Sequence, residues 1–331
     1  MPRDRITRRI ALQGHECGAC GLPGGGGLDD SCRRAMSELS IIVEPHAPKA
    51  WTEVVERGLR NHNTAATGIV EFYPVGFVIK NAGGAILGGL FGNVVGGWLH
   101  VRSLWVDPVW RGRGYATELM AAAERYAIAK GCIAAALQTA SYEARPLYEK
   151  LGYRVFGEIK DHPVKGHSRY YLAKRPLTGI DARRHDLNAR ASLVMQPYAS
   201  DEAQRIVNDG IHAHAHAAIG LPEQIRSAAN VFLQNGDGEI LGGALGNTWG
   251  LWLYVSDVWV DTAIRGKGYA TKLMTAIEHL ARERRCSYSY LDTFNFQARP
   301  LYEKLDYKVF VTLEDHPKGH THYFMKKTLA P

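Results

Sequence analysis

No stretch of this chain stays apolar long enough to cross a bilayer as a helix. Its first residues are basic but are followed by no apolar core of signal-peptide length, so the cytoplasm is the expected compartment and no membrane partner is expected. Cysteine is scarce. Cys17, Cys20, Cys32, Cys132 and Cys286 are the only five in 331 residues, and an odd number at these spacings excludes a secreted disulfide framework. The first three, with His15 near them, lack a fourth zinc ligand at finger-like spacing, so no metal is expected. A concentrated basic stripe is missing too. The formal net charge is +7, but residues 1–35 and 175–191 each carry a net +2, which puts four of the seven excess charges in a tail and a linker. Nucleic acid is therefore not an expected partner. What remains is 46% hydrophobic and 22% charged, a globular balance at a length that suits two domains.

The chain repeats itself. Arg145-Pro146-Leu147-Tyr148-Glu149-Lys150-Leu151 recurs unchanged as Arg299 to Leu305, an offset of 154. Arg111-Gly112-Arg113-Gly114-Tyr115-Ala116-Thr117 recurs at the same offset as Arg265-Gly266-Lys267-Gly268-Tyr269-Ala270-Thr271. Upstream, Pro45 and Gly58 match Pro197 and Gly210; downstream, Asp161-His162-Pro163 matches Asp315-His316-Pro317, after which the second copy drops one residue. A unit of this length is a domain rather than a solenoid repeat. The pattern predicts a disordered tail over 1–39, a first domain over 40–176, a linker over 177–191 and a second domain over 192–331.

Each copy reads as a mixed α/β sandwich. A helical stretch around Val55 or Val207 precedes a hairpin whose turn falls at Asn81–Gly84 or Asn235–Gly238. An apolar strand follows, Trp98 to Val106 or Trp252 to Val260. The Gly-rich turn comes next and opens a helix with one apolar face, Ala116, Leu119, Met120, Ala123 and Ala127 in the first copy. Another strand, a short Arg-Pro-Leu-Tyr-Glu-Lys-Leu helix and a closing aromatic strand complete the unit. Cys132 and Cys286 begin matching strands, where packing explains them better than nucleophilic chemistry.

A strand, a Gly-rich turn and a helix together make an anion site, because the first N–H groups of the helix have no helical partner and the dipole adds positive charge there. Neither copy carries a Walker P-loop. In a dinucleotide fingerprint, Thr117 and Thr271 would stand where the third Gly or Ala belongs. The remaining pattern, Arg/Gln-x-x-Gly-x-Gly/Ala, fits both copies at every fixed position.

With the flanking Leu104-Trp105-Val106-Asp107 and Val258-Trp259-Val260-Asp261, and with the Arg-Pro-Leu-Tyr-Glu-Lys-Leu helix, this pattern resembles the GNAT superfamily of N-acetyltransferases. The resemblance covers both copies but neither tail nor linker. It implies two tandem GNAT domains, each a mixed, mostly antiparallel twisted sheet flanked by helices. It implies acetyl-CoA as cosubstrate, with pantetheine along Leu104, Trp105 and Val106 or Val258, Trp259 and Val260, and pyrophosphate on residues 111–117 or 265–271. It implies direct attack by a small-molecule amine (an amino sugar, polyamine, amino acid or antibiotic) in a ternary complex. Tyr148 and Tyr302 would protonate the leaving thiolate. His100, Tyr254 and Asp257 are the candidates for the base. One catalytic copy beside a scaffold copy, a non-catalytic acetyl-CoA-binding regulator, and a protein lysine as acceptor are the alternatives. The chain is expected to act as a monomeric pseudo-dimer or as a homodimer. His212, His214 and His216 lie in a probable helix, which would spread them apart and argues against a zinc site.

Overall fold

The computed structural model describes residues 8–11, 39–180, 191–195, 200–220 and 226–329. After β1 (Arg8–Ala11), the first copy runs β2 (Ser40–Val43), α1 (Lys49–Thr67), β3 (Phe72–Asn81), β4 (Ile86–Val95), β5 (Trp98–Val106), α2 (Tyr115–Ala129), β6 (Ala134–Ala140), α3 (Arg145–Lys150), β7 (Arg154–Lys160) and β8 (Ser168–Lys174). The second repeats the series as β9 (Ala191–Met195), α4 (Asp201–Ile219), β10 (Arg226–Gln234), β11 (Ile240–Trp249), β12 (Trp252–Val260), α5 (Tyr269–Glu283), β13 (Tyr288–Phe294), α6 (Arg299–Lys304), β14 (Lys308–Glu314) and β15 (Thr321–Thr328). The architecture is mixed α/β. Two sheets of seven and eight strands are antiparallel except at β5–β6 and β12–β13.

The sheets cut across the copies. β2 pairs antiparallel with β10, and β9 pairs antiparallel with β3. The helices follow their strands. Val55 of α1 packs with Phe232, Leu245 and the partly buried Trp259 of the second copy, while Val207 of α4 approaches Gly89 on β4. Gly58 and Gly210 explain how the helices come so close. A Cβ at Gly58 would lie 2.2 Å from the Trp259 ring, and one at Gly210 would lie 2.1 Å from the Trp105 ring. The helices accept a residue of poor helical propensity there because nothing larger fits.

The first strand and helix of each copy have therefore changed places. Each exchanged helix ends on a left-handed glycine, Gly68 or Gly220, which breaks the helix just before the chain enters the other sheet. Burial of the exchanged apolar side chains stabilises the arrangement, at roughly 1.5–3 kcal/mol for each fully buried one such as Val55. The division into 40–176 and 192–331 thus belongs to the sequence repeat. In the folded chain the sheets change hands between α1 and β3 and again between α4 and β10. The tail needs correction as well: residues 8–11 add β1 to the edge of β2, while 1–7 and 12–38, with Cys17, Cys20 and Cys32, lie outside the described residues. Of the linker, 177–180 are described and Leu177 is buried, 181–190 lie outside, and Ala191 already belongs to β9.

Two further exchanges lock the halves together. Trp98 Nε1 donates to the carbonyl of Asp315 at 2.9 Å, and Trp252 Nε1 donates to that of Asp161 at 2.7 Å. Arg175 pairs with Asp315 at 2.7 Å. No helix among the described residues is long and apolar enough to cross a membrane.

Candidate functional site

The two Gly-rich turns have nearly the same geometry. Gly112 and Gly114 take φ of 75° and 83°, and Gly266 and Gly268 take 79° and 78°. Such angles suit glycine and turn successive N–H groups toward one side. Neither α2 nor α5 has a side-chain N-cap, so their first N–H groups stay open. A Cβ built at Gly112, Gly266 or Gly268 would meet nothing within 4 Å, so the turns face open space. Arg111 Nε donates to the Val106 carbonyl at 3.0 Å, and Arg265 Nε to that of Val260 at 2.9 Å. These arginines brace the turn against its strand. Arg113 lies over the Trp110 ring. Tyr115 is buried in one core, and its equivalent Tyr269 packs, partly buried, against the other.

Upstream of each turn the parallel strands part. β5 pairs with β6 only from Trp98 to Val101, and β12 pairs with β13 only from Trp252 to Val255. Each strand is bulged at that point against its antiparallel neighbour, opposite Gly92 and Gly246. Leu104 to Val106 and Val258 to Val260 thus have no strand on their far side. The rings of Trp105 and Trp259 turn to the exchanged helices, which leaves the backbone at these positions as the group facing the gap. A polyanion on the turn, trailing an extended amide arm into the gap, fits what these residues offer.

A cavity of about 2400 Å³ joins the two halves and reaches Val106, Arg111 and Tyr148. His100, Tyr254 and Asp257, drawn from both copies, all line it. The second copy builds a hydrogen-bonded chain there. Tyr254 donates to Asp292 Oδ1 at 3.1 Å, His322 Nε2 lies 2.8 Å from Asp292 Oδ2, and His322 Nδ1 lies 3.1 Å from His316 Nδ1. The His100 ring sits 4.9 Å from that of His316. Burial works to raise the Asp292 pKa, but the hydrogen bonds and charge of His322, with Tyr254, hold it below the usual carboxylate value. The Asp292 charge pushes the Tyr254 phenol well up, with burial adding to it. Burial, then His322, brings His100 down to about 4; burial, then His100, brings His316 down to about 2.

The same positions in the first copy carry other chemistry. Gln138 stands for Asp292, Arg169 for His322 and His100 for Tyr254. Arg169 Nη1 donates to Gln138 Oε1 at 2.8 Å. An amide and a guanidinium cannot take a proton from an ammonium group at neutral pH.

Tyr148 and Tyr302 are both buried, and burial raises both phenols. Neither hydroxyl bonds to a described residue, so each is free to donate elsewhere. Asp257 is also raised, by burial. His212, His214 and His216 lie along α4, and His214 Nε2 lies 3.0 Å from the Tyr142 carbonyl. Asp292, His322 and Arg169 were not among the candidate residues drawn from sequence. The signal that could have found them is the mismatch between copies at Gln138/Asp292 and Arg169/His322, set within matched strands.

The acetyltransferase (GNAT) family model matches residues 45–153 and 205–307. An acetyltransferase of Agrobacterium fabrum is 32% identical over 136 residues, covering 41% of this chain and 98% of its own length. Blasticidin-S acetyltransferase of Streptomyces morookaense is 36% identical over 93 residues, 28% of this chain and 68% of its own. The crystal structure of an acetyltransferase from Bacillus cereus is 29% identical over 40% of this chain and 94% of its own, with a TM-score of 0.36. Because the two matched regions together span more than half of its residues, this chain belongs to the acetyltransferase (GNAT) family.

Proposed function

We propose that this protein is an acetyl-CoA-dependent N-acetyltransferase for a small primary amine, with the chemistry carried by the second copy. The observation that carries the reading is the Asp292–His322–Tyr254 set at the cavity wall, with Tyr254 and Asp292 on β12 and β13, the strands that part ahead of the second Gly-rich turn. The relative named blasticidin-S acetyltransferase supports a small molecule as acceptor.

Acetyl-CoA, when bound, supplies the thioester. Residues 111–117 and 265–271 would hold its pyrophosphate through open N–H groups, and Leu104 to Val106 or Val258 to Val260 would hold its arm by backbone. The Val260 N–H would stabilise the developing oxyanion. An alkyl ammonium has a pKa near ~10.4 and must lose a proton before it attacks. Asp292, ionised and open to the cavity, attracts the ammonium, and His322 beside it receives the proton. His100, at about 4, is too weak a base for that task at neutral pH. Tyr302, kept protonated by burial, gives its proton to the departing thiolate.

The test is thiol release from acetyl-CoA against a library of small amines, with calorimetry of coenzyme A alongside. Turnover with at least one amine and a stoichiometry near two are expected, because both turns are complete. Binding of coenzyme A with no turnover across the library would make the protein a regulator instead.

A further inference from the structure

The cavity wall where β8 of the first copy meets β10 of the second holds two positive charges, Arg169 and Arg226, that no carboxylate pairs among the described residues. Arg169 is positioned by Gln138 Oε1 at 2.8 Å and by His162 Nδ1, 3.4 Å from its Nε. Both partners are neutral, since burial, and then the Arg169 charge, hold the His162 imidazole well below its ordinary value. Arg226 stands at the start of β10. The two guanidinium carbons lie 5.9 and 5.7 Å from the centroid of one ring, that of Trp249. Glu143 acts on Arg169 through its charge, yet its Oε2 is committed to Thr139 Oγ1 at 2.9 Å and the Ala140 N–H at 2.8 Å. Among the described residues neither arginine forms an ion pair. A small recess of about 120 Å³, walled by both arginines, Trp249, Trp252, Tyr254 and Tyr290, opens beside them.

Two like charges around one partly desolvated recess are unfavourable until an anion joins them. We propose that Arg169 and Arg226 form an oxyanion subsite, and that the amine acetylated here also carries a carboxylate or phosphate. The acceptor part of this inference rests on the acetyltransferase reading above. The cationic and acidic ends adjoin through one pair of rings. The Arg169 guanidinium lies 5.8 Å from the Tyr290 centroid, Tyr290 stacks on Tyr254 at 4.8 Å, and Tyr254 donates to Asp292. One small zwitterion can therefore place its ammonium at Asp292 and its oxyanion between the guanidiniums. The opposite docking is closed to it. The positions equivalent to Arg169, Arg226 and Trp249 are His322, Phe72 and Val95, which offer no second arginine pair.

The test uses the full chain in two arms at fixed ionic strength. In the first, tryptophan fluorescence is titrated with inorganic phosphate and, separately, with propionate, in saturating coenzyme A, which occupies the two Gly-rich turns. A saturable change is expected, weakened about 10- to 100-fold in Arg169→Gln and in Arg226→Gln at unchanged melting temperature. The anion that binds more tightly identifies the group. In the second arm, kcat/KM is compared for amines that differ only in that group. The same variants should lose about 10- to 100-fold on the anionic member, mostly through KM, and far less on the neutral one. Arg169→Lys, which keeps the charge but not the fork, should recover part of the loss. No saturable binding of either anion, or binding that survives Arg169→Gln/Arg226→Gln, overturns the subsite. Anion binding lost in the variants with no amine ever turned over upholds the subsite and sinks the acetyltransferase reading instead.

Discussion

The two halves of this chain agree at their Gly-rich turns and disagree across their shared cavity. Arg111 and Arg265 brace their strands at 3.0 and 2.9 Å, and the glycine angles differ by only a few degrees. A few residues farther along each sheet, Asp292 holds His322 in one half while Gln138 holds Arg169 in the other. The Gly-rich turns have stayed alike while the cavity wall between the halves has not. An acidic end with imidazoles and a cationic end stand where two equal ends would be. On the function proposed above, one competent set releases the other from keeping its base.

The largest expected effect tests that asymmetry directly. Asp292→Asn removes the charge that orders Tyr254 and His322 and should lower kcat by about 10²–10⁴-fold while leaving coenzyme A affinity intact. Tyr302→Phe should fall in the same range, with Tyr148→Phe far milder. Stopped-flow thiol release and calorimetry read both quantities. Equal losses for the two tyrosine variants would mean that both halves catalyse.

A second comparison concerns buried ion pairs that neither pattern nor motif had indicated. Lys174 reaches Glu124 at 2.7 Å with both side chains nearly inaccessible. Its counterpart Lys327 reaches Glu278 at 2.8 Å, but Glu278 also has Arg282 at 3.3 Å. Removing one member of a buried pair strands the other, at about 3–5 kcal/mol. Lys174→Met should therefore cost close to that in chemical denaturation. Lys327→Met should cost less, since Arg282 still faces Glu278. A larger loss for Lys327→Met would show that Arg282 contributes nothing.

Acid should weaken the seam between the halves, where His100 of the first lies against His316 of the second. His100 at about 4 and His316 at about 2 both sit below the unfolded value near ~6.5. Between pH 6.5 and 4 the unfolded chain binds more protons, so stability is full above that window and falls as pH drops through it. The slope is at most about 1.4 kcal/mol per pH unit for each histidine. Differential scanning fluorimetry from pH 7 to 4 should show it. His316→Gln and His162→Gln should each flatten the slope, since burial holds both imidazoles well below their ordinary value. His316 lies against two further imidazoles, His100 and His322, whereas His162 faces Arg169 and aromatic rings. An unchanged slope in His316→Gln would remove this cluster from the account.

What could be read from the residues alone follows a physical divide. Short-range rules fixed the turns, the hairpins and the helix faces, because a glycine at positive φ or an apolar stripe leaves a local mark. The exchange of α1 and α4 leaves none. Val55 and Gly58 would need the same apolar surface on either sheet, and the shared pattern of the repeat makes the two sheets similar partners. Asp292 and His322 were hidden for another reason. Single polar residues on aromatic strands look like ordinary exposed positions until the fold pairs them across β13 and β15.

The smallest expected effect concerns the outer edges of the two sheets. The eight-stranded sheet carries β1 beyond β2, while the seven-stranded one ends on β9 among the described residues. Deleting residues 1–35 strips β1 with its ladder to Ser40–Val43, the Arg9–Ser40 bond at 2.9 Å and the exposed Arg8–Glu283 pair. β2 should hold without it, because Ile41 and Val43 are anchored in the core beside Val231 and its own ladder to β10 is untouched. An exposed ion pair contributes about 0–1 kcal/mol, and four edge residues give back much of their bonding in ordering entropy. A chain of this size then loses roughly 2–4 °C of melting temperature at most. Acetyl transfer should be unchanged, since β1 lies at the edge of its sheet, on the side of β2 away from β10. A much larger fall, or lost activity in the truncated protein, would mean that β1 is what holds the exchanged strand β2 in place.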